Sequence, residues 1–549
     1  MSPMVRKLLA AAALALLVLV WFGNIQYRDL FQPDEGRYAE IPREMVASGD
    51  WLTPRLDGYK YFEKPPLQYW ATAAAYTAFG RHNWTARLWS YLTGFGAIVL
   101  VAVAGGLLFG APAGWCAALV LASSLYYGAV AHINSLDTGV SFFMTATLVG
   151  FLLAQRESLS ERRRRLWMLS AWVAMGLAVL SKGLIGVVLP GGALVLYCLL
   201  RRDWRIWRRL HLGAGLPALA LVTVPWFALV CRKNPEFFHF FFIREHIERF
   251  LTTIHKRYEP WWYFLPILLA GSLPWLSGLL RALFRGWRRS EPRDRFDPTS
   301  FSWCWVVTIL VFFSLSDSKL IPYILPAFPA LALLIGRELP SWEKGLRWEA
   351  RISGAFSVLG LAFLLFVGLE RFGSSKKPAY LWAALSPWVA VGLLVVLLGA
   401  LAAWFWLRRS RTGAAIGALG VAWLVAVALW MTGLQGMAPA YSSHEMARKV
   451  GGAIPADVPF YSVDTYYQTV PFYFDRTPTL VGYTGELAFG IKQAPQQWVP
   501  TIEEFARRWR TDSAAWAVMP PKVFNRLQRE QLPMREVARD PQRVLVTKP

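Results

Sequence analysis

Pro33-Asp34-Glu35-Gly36-Arg37-Tyr38 and, further on, Tyr61-Phe62-Glu63-Lys64-Pro65-Pro66 lie in one polar loop, Asn24 to Pro66, that follows a single apolar segment. Almost everything on either side of this loop is compatible with hydrocarbon. An adjacent carboxylate pair, then a basic residue, then a second acid and a lysine, all held at a membrane surface, point to chemistry on a lipid-borne substrate.

The surroundings set the class. The chain has 549 residues, is 55% hydrophobic and contains 28 Trp, too apolar for an ordinary soluble domain. Apolar runs of about 17–25 residues read as transmembrane helices. About thirteen are expected, near 8–23, 87–109, 112–130, 136–154, 166–181, 184–200, 212–231, 261–282, 301–316, 321–336, 352–369, 380–407 and 414–434. The first reads as a retained anchor, because no small-residue cleavage site follows it. Cys116, Cys198, Cys231 and Cys304 fall in or at the ends of these runs, without metal-ligand spacing or a disulfide framework, and read as packing residues.

The net charge of +23 does not indicate a nucleic-acid partner. The cations form short clusters between spans: Arg162 to Arg165, Arg201 to Arg209, Arg281 to Arg295, and Arg408, Arg409 and Arg411. This is the positive-inside pattern, which orients helices. Arg6 and Lys7 then place the N-terminus in the cytoplasm. An odd number of spans places the C-terminus outside, and the motif loop faces the periplasm. A second external loop, 232–260, breaks the pattern with Arg232, Lys233, Arg244, Arg249, Lys256 and Arg257. Topology gives no reason for these cations, whereas an anionic substrate or headgroup does.

The expected architecture is a polytopic α-helical membrane domain over 1–436, with a first external loop at 24–86, followed by an external α/β domain over 437–549. Gly36 to Ala47 and Leu67 to Phe79 read as amphipathic interfacial helices. In the last domain, His444–Val450 and Thr501–Arg510 read as helices, with Thr501 and Glu504 as a capping box. Val458–Asp464, Ala514–Met519, Arg543–Thr547 and the region Val470–Phe474 read as strands.

Adjacent Asp34 and Glu35 cannot share one helix face and so have different tasks. They read either as site carboxylates or as acids at the start of a surface helix. Lys64, just before Pro65-Pro66, would sit near the positive end of a helix, a favoured place for an anion, or else snorkel at the interface. Asp137 opens an external span end and Lys182 closes another; each reads equally as a helix-end group or a cavity group. Asp317, Lys319 and Tyr323 follow a later span externally. His246 beside Glu245 or Glu63 has the atoms to bind a divalent metal, but plain hydrogen bonding suits the spacing better.

Asp34-Glu35, Phe62-Glu63-Lys64-Pro65-Pro66, Leu180-Ser181-Lys182-Gly183 and the multi-span body resemble the GT-C glycosyltransferases, and within them the protein O-mannosyltransferase-related family (family 83). The resemblance covers nearly the whole chain and is nearest to the branch of bacterial aminoarabinose lipid A transferases. It implies a GT-C fold and transfer of 4-amino-4-deoxy-L-arabinose from undecaprenyl phosphate to a lipid A phosphate, giving polymyxin resistance. It also implies an inner-membrane location and action as a monomer. Carried over, it puts Asp34 at the position of the catalytic acid, with Glu35 beside it and Asp137 facing the same centre. Lys64 and Arg37 would hold the donor phosphate. Glu63, Lys182 and Tyr323 would line the cavity; together with Lys182 and Tyr323, Arg244 and Arg249 of the basic external loop read as acceptor-phosphate or cavity residues. The resemblance fixes no cofactor, and a divalent metal at Glu63 and His246 stays open. A hydroxyl acceptor needs a general base, which Asp34 would supply. A phosphate acceptor is already anionic, and Asp34 would then orient the donor. Transfer of a hexose to protein or glycan hydroxyls is the enzyme alternative. A lipid flippase is the alternative of another class, disfavoured because the charges gather at one interface and not at the midplane.

Overall fold

The computed structural model describes residues 3–248, 259–292, 295–451 and 454–549. All the apolar segments named above fold as helix. Among the described residues, eight helices are long and apolar enough to cross a membrane, and a bent pair makes a ninth.

Three segments are interrupted. The 112–130 run bends by 65° between Ala111–Ser123 and Leu125–Ala131, where Ser124 is extended and the Leu125 N–H turns to the carbonyl of Leu273. The 261–282 run divides into Phe264–Gly271 and Leu276–Arg285; Pro274 between them has no N–H to continue the ladder. The 321–336 run opens as a 3-10 turn, Ile321–Ala327, before Phe328–Glu338. Buried indoles find their acceptors beside these breaks. The Trp305 N–H donates to the carbonyl of Pro326 at 3.0 Å and Trp275 donates to the Ser123 hydroxyl at 2.9 Å. In hydrocarbon an unpartnered N–H costs several kcal/mol. Small residues allow close helix contact: a Cβ added at Gly114 would lie 2.4 Å from the carbonyl oxygen of Ala102 in the preceding helix.

The first loop holds two helices, Asp34–Ser48 and Leu67–Phe79, as the amphipathic pattern predicts. Gly49, at φ 70°, ends the first and donates to the Met45 carbonyl. Between them is a small hairpin, β1 (Arg55–Leu56) and β2 (Tyr59–Lys60). Its turn residues Asp57 and Gly58 both have positive φ. The Asp-Gly pair is a strong hairpin signal that the sequence reading passed over.

The C-terminal region carries five strands: β3 (Phe460–Val463), β4 (Thr479–Val481), β5 (Trp516–Met519), β6 (Arg535–Arg539) and β7 (Val544–Thr547). They form one sheet in the order β4-β3-β5-β7-β6. β3 runs parallel to β4 and β5, and β7 is antiparallel to β5 and β6. β3, β5 and β7 fall where strands are expected. Val470–Phe474 does not: it is a short helix. Pro471 cannot donate to a ladder and suits the first helical position, and the Val470 N–H is taken by the Tyr467 carbonyl. Thr501 caps Ile502–Thr511 by accepting the Glu504 N–H at 3.1 Å.

Candidate active site

The two adjacent acids of the motif separate completely. Glu35 is 1% exposed and lies between two guanidiniums: Arg28 at 2.6 and 2.8 Å, and Arg87 at 2.8 and 3.1 Å. Its oxygens also accept the N–H of Phe31 and that of Asn134. Burial alone would push this carboxyl up, but the arginines outweigh it and hold it down at about 2. Leftover guanidinium N–H groups go to the carbonyls of Asp29 and Ile25. With its lone pairs engaged in this way, Glu35 ties together the first loop and the start of the fourth span, whereas the expectation for it was a site carboxylate. Through Asn134 it fixes the start of Leu136–Ala154 relative to the first loop.

Asp34, by contrast, has a side chain 53% exposed, paired to Arg37 at 2.9 Å. Arg37 also reaches Glu486 at 2.6 Å, across from the C-terminal domain. Glu486 in turn accepts from Gln468 at 2.7 Å. The contact is close because residue 36 is glycine: a Cβ there would lie 2.6 Å from the carbonyl carbon of Gln468. The pKa of the Tyr38 phenol is raised by burial and then by Asp34, with further contributions from Asp137 and Glu63.

Asp137, in the first turn of Leu136–Ala154, makes an ion pair with Lys182, the last residue of Glu161–Lys182. The Lys182 ammonium also lies 4.8 Å from the Tyr323 ring centre. Lys64, Asp137, Lys182, Tyr323 and Glu245 line one cavity of about 260 Å³, whose remaining wall is mostly apolar, with Val140, Val188, Phe312 and Phe313. Lys64 stands three residues ahead of the helix Leu67–Phe79.

Four of the expected site residues, Lys64, Asp137, Lys182 and Tyr323, are therefore brought together. Asp34 and Arg37 sit at the contact with the C-terminal domain, outside that lining. Glu63 is half-buried beside Lys64. Arg244 stands over the Phe240 ring, on a π-helical segment, His239–Glu248, whose Glu245 is in the cavity wall. Arg249 and the side chain of His246 lie outside the described residues. Among the described residues no three His, Cys, Asp or Glu side chains are grouped to hold a metal.

Sequence reasoning missed Arg28, Arg87 and Glu486. Arg87 carried a signal, being an ionisable group at the start of an apolar span. Glu486, 449 positions after Arg37 in the chain, carried none.

The dolichyl-phosphate-mannose-protein mannosyltransferase family model matches residues 5–241. The model for the aminoarabinose transferase C-terminal domain matches 446–548. An undecaprenyl phosphate-alpha-4-amino-4-deoxy-L-arabinose arabinosyl transferase of Erwinia tasmaniensis is 34% identical over 70% of this chain and 71% of its own. The chain belongs to the aminoarabinose transferase family. The crystal structure of ArnT from Cupriavidus metallidurans bound to undecaprenyl phosphate superimposes with a TM-score of 0.91, at 37% identity over 98% of this chain and 97% of that one. An archaeal oligosaccharyltransferase from Archaeoglobus fulgidus shares the fold alone, at 13% identity over 92% of this chain and 69% of that one, with a TM-score of 0.50. The protein is thus a multi-pass membrane glycosyltransferase of GT-C fold that uses a polyprenyl-phosphate sugar.

Proposed function

We propose that this chain transfers 4-amino-4-deoxy-L-arabinose from undecaprenyl phosphate to a phosphate of lipid A. The reaction takes place at the periplasmic face of the bacterial inner membrane, with the N-terminus cytoplasmic and residues 437–549 periplasmic. Membership of the aminoarabinose transferase family supports the sugar and the donor. The observation that carries the reading is the cavity itself, with two ammonium groups, Lys64 and Lys182, at a mouth whose walls are aliphatic and aromatic. A phosphate on an isoprenoid chain has that same division of charge and hydrocarbon.

In the reaction the bond from the sugar's anomeric carbon to the donor phosphate oxygen breaks, and its electron pair leaves on undecaprenyl phosphate. An oxygen of the acceptor phosphate forms the new bond to that carbon. Both phosphates are anionic at neutral pH, so no proton has to be removed. The demand on the protein is charge screening between two groups that repel. Lys64 holds the leaving phosphate with Tyr323 beside it. Lys182, fixed by Asp137, screens the second. Asp34 pairs with the donor's amine, and Arg37 sets the Asp34 carboxylate. Arg244 and Arg249, on the basic external loop, meet the acceptor. Adding an amine-bearing sugar to lipid A cancels negative charge, which weakens the binding of polymyxin and other cationic peptides.

Mass spectrometry of lipid A from cells with and without the gene tests the reading. One aminopentose on a phosphate is expected only with the gene. Unchanged lipid A, with loss of a sugar from a protein or glycan, would move the acceptor to a hydroxyl. For Asp34→Asn acting on a purified phosphate acceptor, near-normal rates would remove any essential role for that carboxylate.

A further inference from the structure

Ile185 lies in the wall of the first cavity, and the 17-residue helix it begins ends at Arg201. At 1.5 Å per residue the far end is about 25 Å away, at the opposite face of the membrane. A second cavity, of about 600 Å³, opens there, lined by Arg201, Arg202, Arg205, Arg209, Arg289 and Asp203. Five guanidiniums face one carboxylate, and that carboxylate already accepts the Arg205 backbone N–H as the cap of the 3-10 turn Trp204–Leu210. Arg201 is engaged by Asp297, Ser300 and the Trp287 carbonyl. Among the described residues, Arg202, Arg205, Arg209 and Arg289 have no carboxylate partner.

The positive-inside rule explains why arginines occur in this loop, but not why they converge on a hollow. Another basic cluster of the chain is handled differently: Arg408, Arg409 and Arg411 lie over the rings of Trp404, Phe405 and Trp406. Part of the second cavity's rim is apolar, formed by Leu200, Ile206 and Phe296, with Leu199 and Trp204, next in the chain to Leu200 and Arg205, 60% and 53% exposed. A polyanion in water has no use for that rim, whereas a lipid with acyl chains does. We propose that this cavity binds the phosphate headgroup of an anionic phospholipid of the adjacent leaflet, its chains lying along the apolar part of the rim.

The test is native mass spectrometry of the full-length protein in neutral detergent, titrated with phosphatidylglycerol, phosphatidylcholine or inorganic phosphate. The wild type is expected to retain phosphatidylglycerol and not phosphatidylcholine. Retention should weaken by about tenfold or more in Arg202→Gln/Arg205→Gln/Arg209→Gln. It should be unchanged in the charge-matched Arg162→Gln/Arg163→Gln/Arg165→Gln. The single change Arg205→Gln, at an exposed side chain, gives a smaller loss in the same direction if the triple variant does not fold. Equal loss in both triple variants would reduce the site to diffuse surface charge. Competition by millimolar inorganic phosphate would overturn the lipid assignment in favour of free phosphate, and equal retention of phosphatidylcholine would overturn the site altogether.

Discussion

The contrast between Asp34 and Glu35 shows how little adjacency says about role. One carboxylate is half-exposed beside Arg37, and the other is sealed between Arg28 and Arg87. Glu35→Gln leaves two buried guanidiniums without their counter-charge, which costs on the order of 3–5 kcal/mol. The expected outcome is a clear drop in melting temperature and yield, read by thermal unfolding in detergent. Asp34→Asn is expected to leave melting unchanged while transfer falls by on the order of a hundredfold, so the two neighbours should be separable by these two measurements. The pH sign for Glu35 follows from its lowered pKa. Its carboxylate contributes stability at every pH above the ordinary glutamate value, and this is lost as pH falls from there towards about 2. An acid melt of Glu35→Gln should lack that component. The sequence indicated that the two acids differ, because neighbours on a helix cannot face the same way, but it did not show that Glu35 is sealed between two arginines while Asp34 stays exposed.

At the scale of elements, the hairpin β1–β2 leans on the helix Asp34–Ser48. Glu44 accepts the Gly58 N–H at 3.0 Å, while both carboxylate oxygens of Asp57 are buried without a hydrogen-bond partner. Burial, then Glu44 and Glu40, push Asp57 well above its ordinary range. Burial and then Glu40 raise Glu44 to about 8. A carboxyl whose pKa is raised on folding penalises the fold progressively as pH climbs from its unfolded value towards its folded one. Asp57→Asn keeps a residue suited to a positive-φ turn position and removes that penalty. It should raise the melting temperature at neutral pH, with the gain vanishing near pH 4. No gain at pH 7 would mean the carboxyl finds a partner. The same scale explains the wrong strand at Val470–Phe474. Its apolar run fits a strand, but Pro471 cannot donate to a ladder, and the N–H groups of Val470 and Tyr473 go to the carbonyls of Tyr467 and Thr469 instead. The long apolar helices were legible because hydrocarbon imposes one dominant rule on every residue in a span. The breaks at Ser124 and Pro274 depend on which neighbours take the freed backbone groups.

For the whole molecule, the decisive contact is between the first loop and the C-terminal domain. Glu486 meets Arg37, the Tyr59 hydroxyl donates to the Gln497 carbonyl, and His444 pairs with Asp29 at 2.6 Å. A chain ending after Gly436 is expected to insert in the membrane yet lose transfer by at least about a hundredfold, because Arg37 is no longer held. Glu486→Gln in the full chain should lose activity in the same direction, by a smaller factor, with unchanged melting; full activity would separate the domain contact from catalysis. The His444 pair adds a pH dependence. The hydrogen bond to Asp29 raises the imidazole. Its contribution is complete below the ordinary histidine range and is lost as pH rises through the raised value. Exchange protection across the described residues of 437–549, measured relative to the intrinsic amide rate at each pH, should therefore fall from pH 6 to pH 8, and His444→Ala should flatten that change.

Hydropathy and charge placement by themselves determined that the chain is a polytopic helical membrane protein with an α/β tail, because burial in lipid constrains composition residue by residue. The short motifs were enough to mark Lys64, Asp137, Lys182 and Tyr323 as candidates. That these four share one cavity, that Glu35 is buried between Arg28 and Arg87 while Asp34 is exposed, and that Glu486 reaches Arg37 was decided only by the tertiary structure. Each of those facts is a distance between segments far apart in the chain, set by packing and by the pairing of buried charges, and no local pattern encodes it.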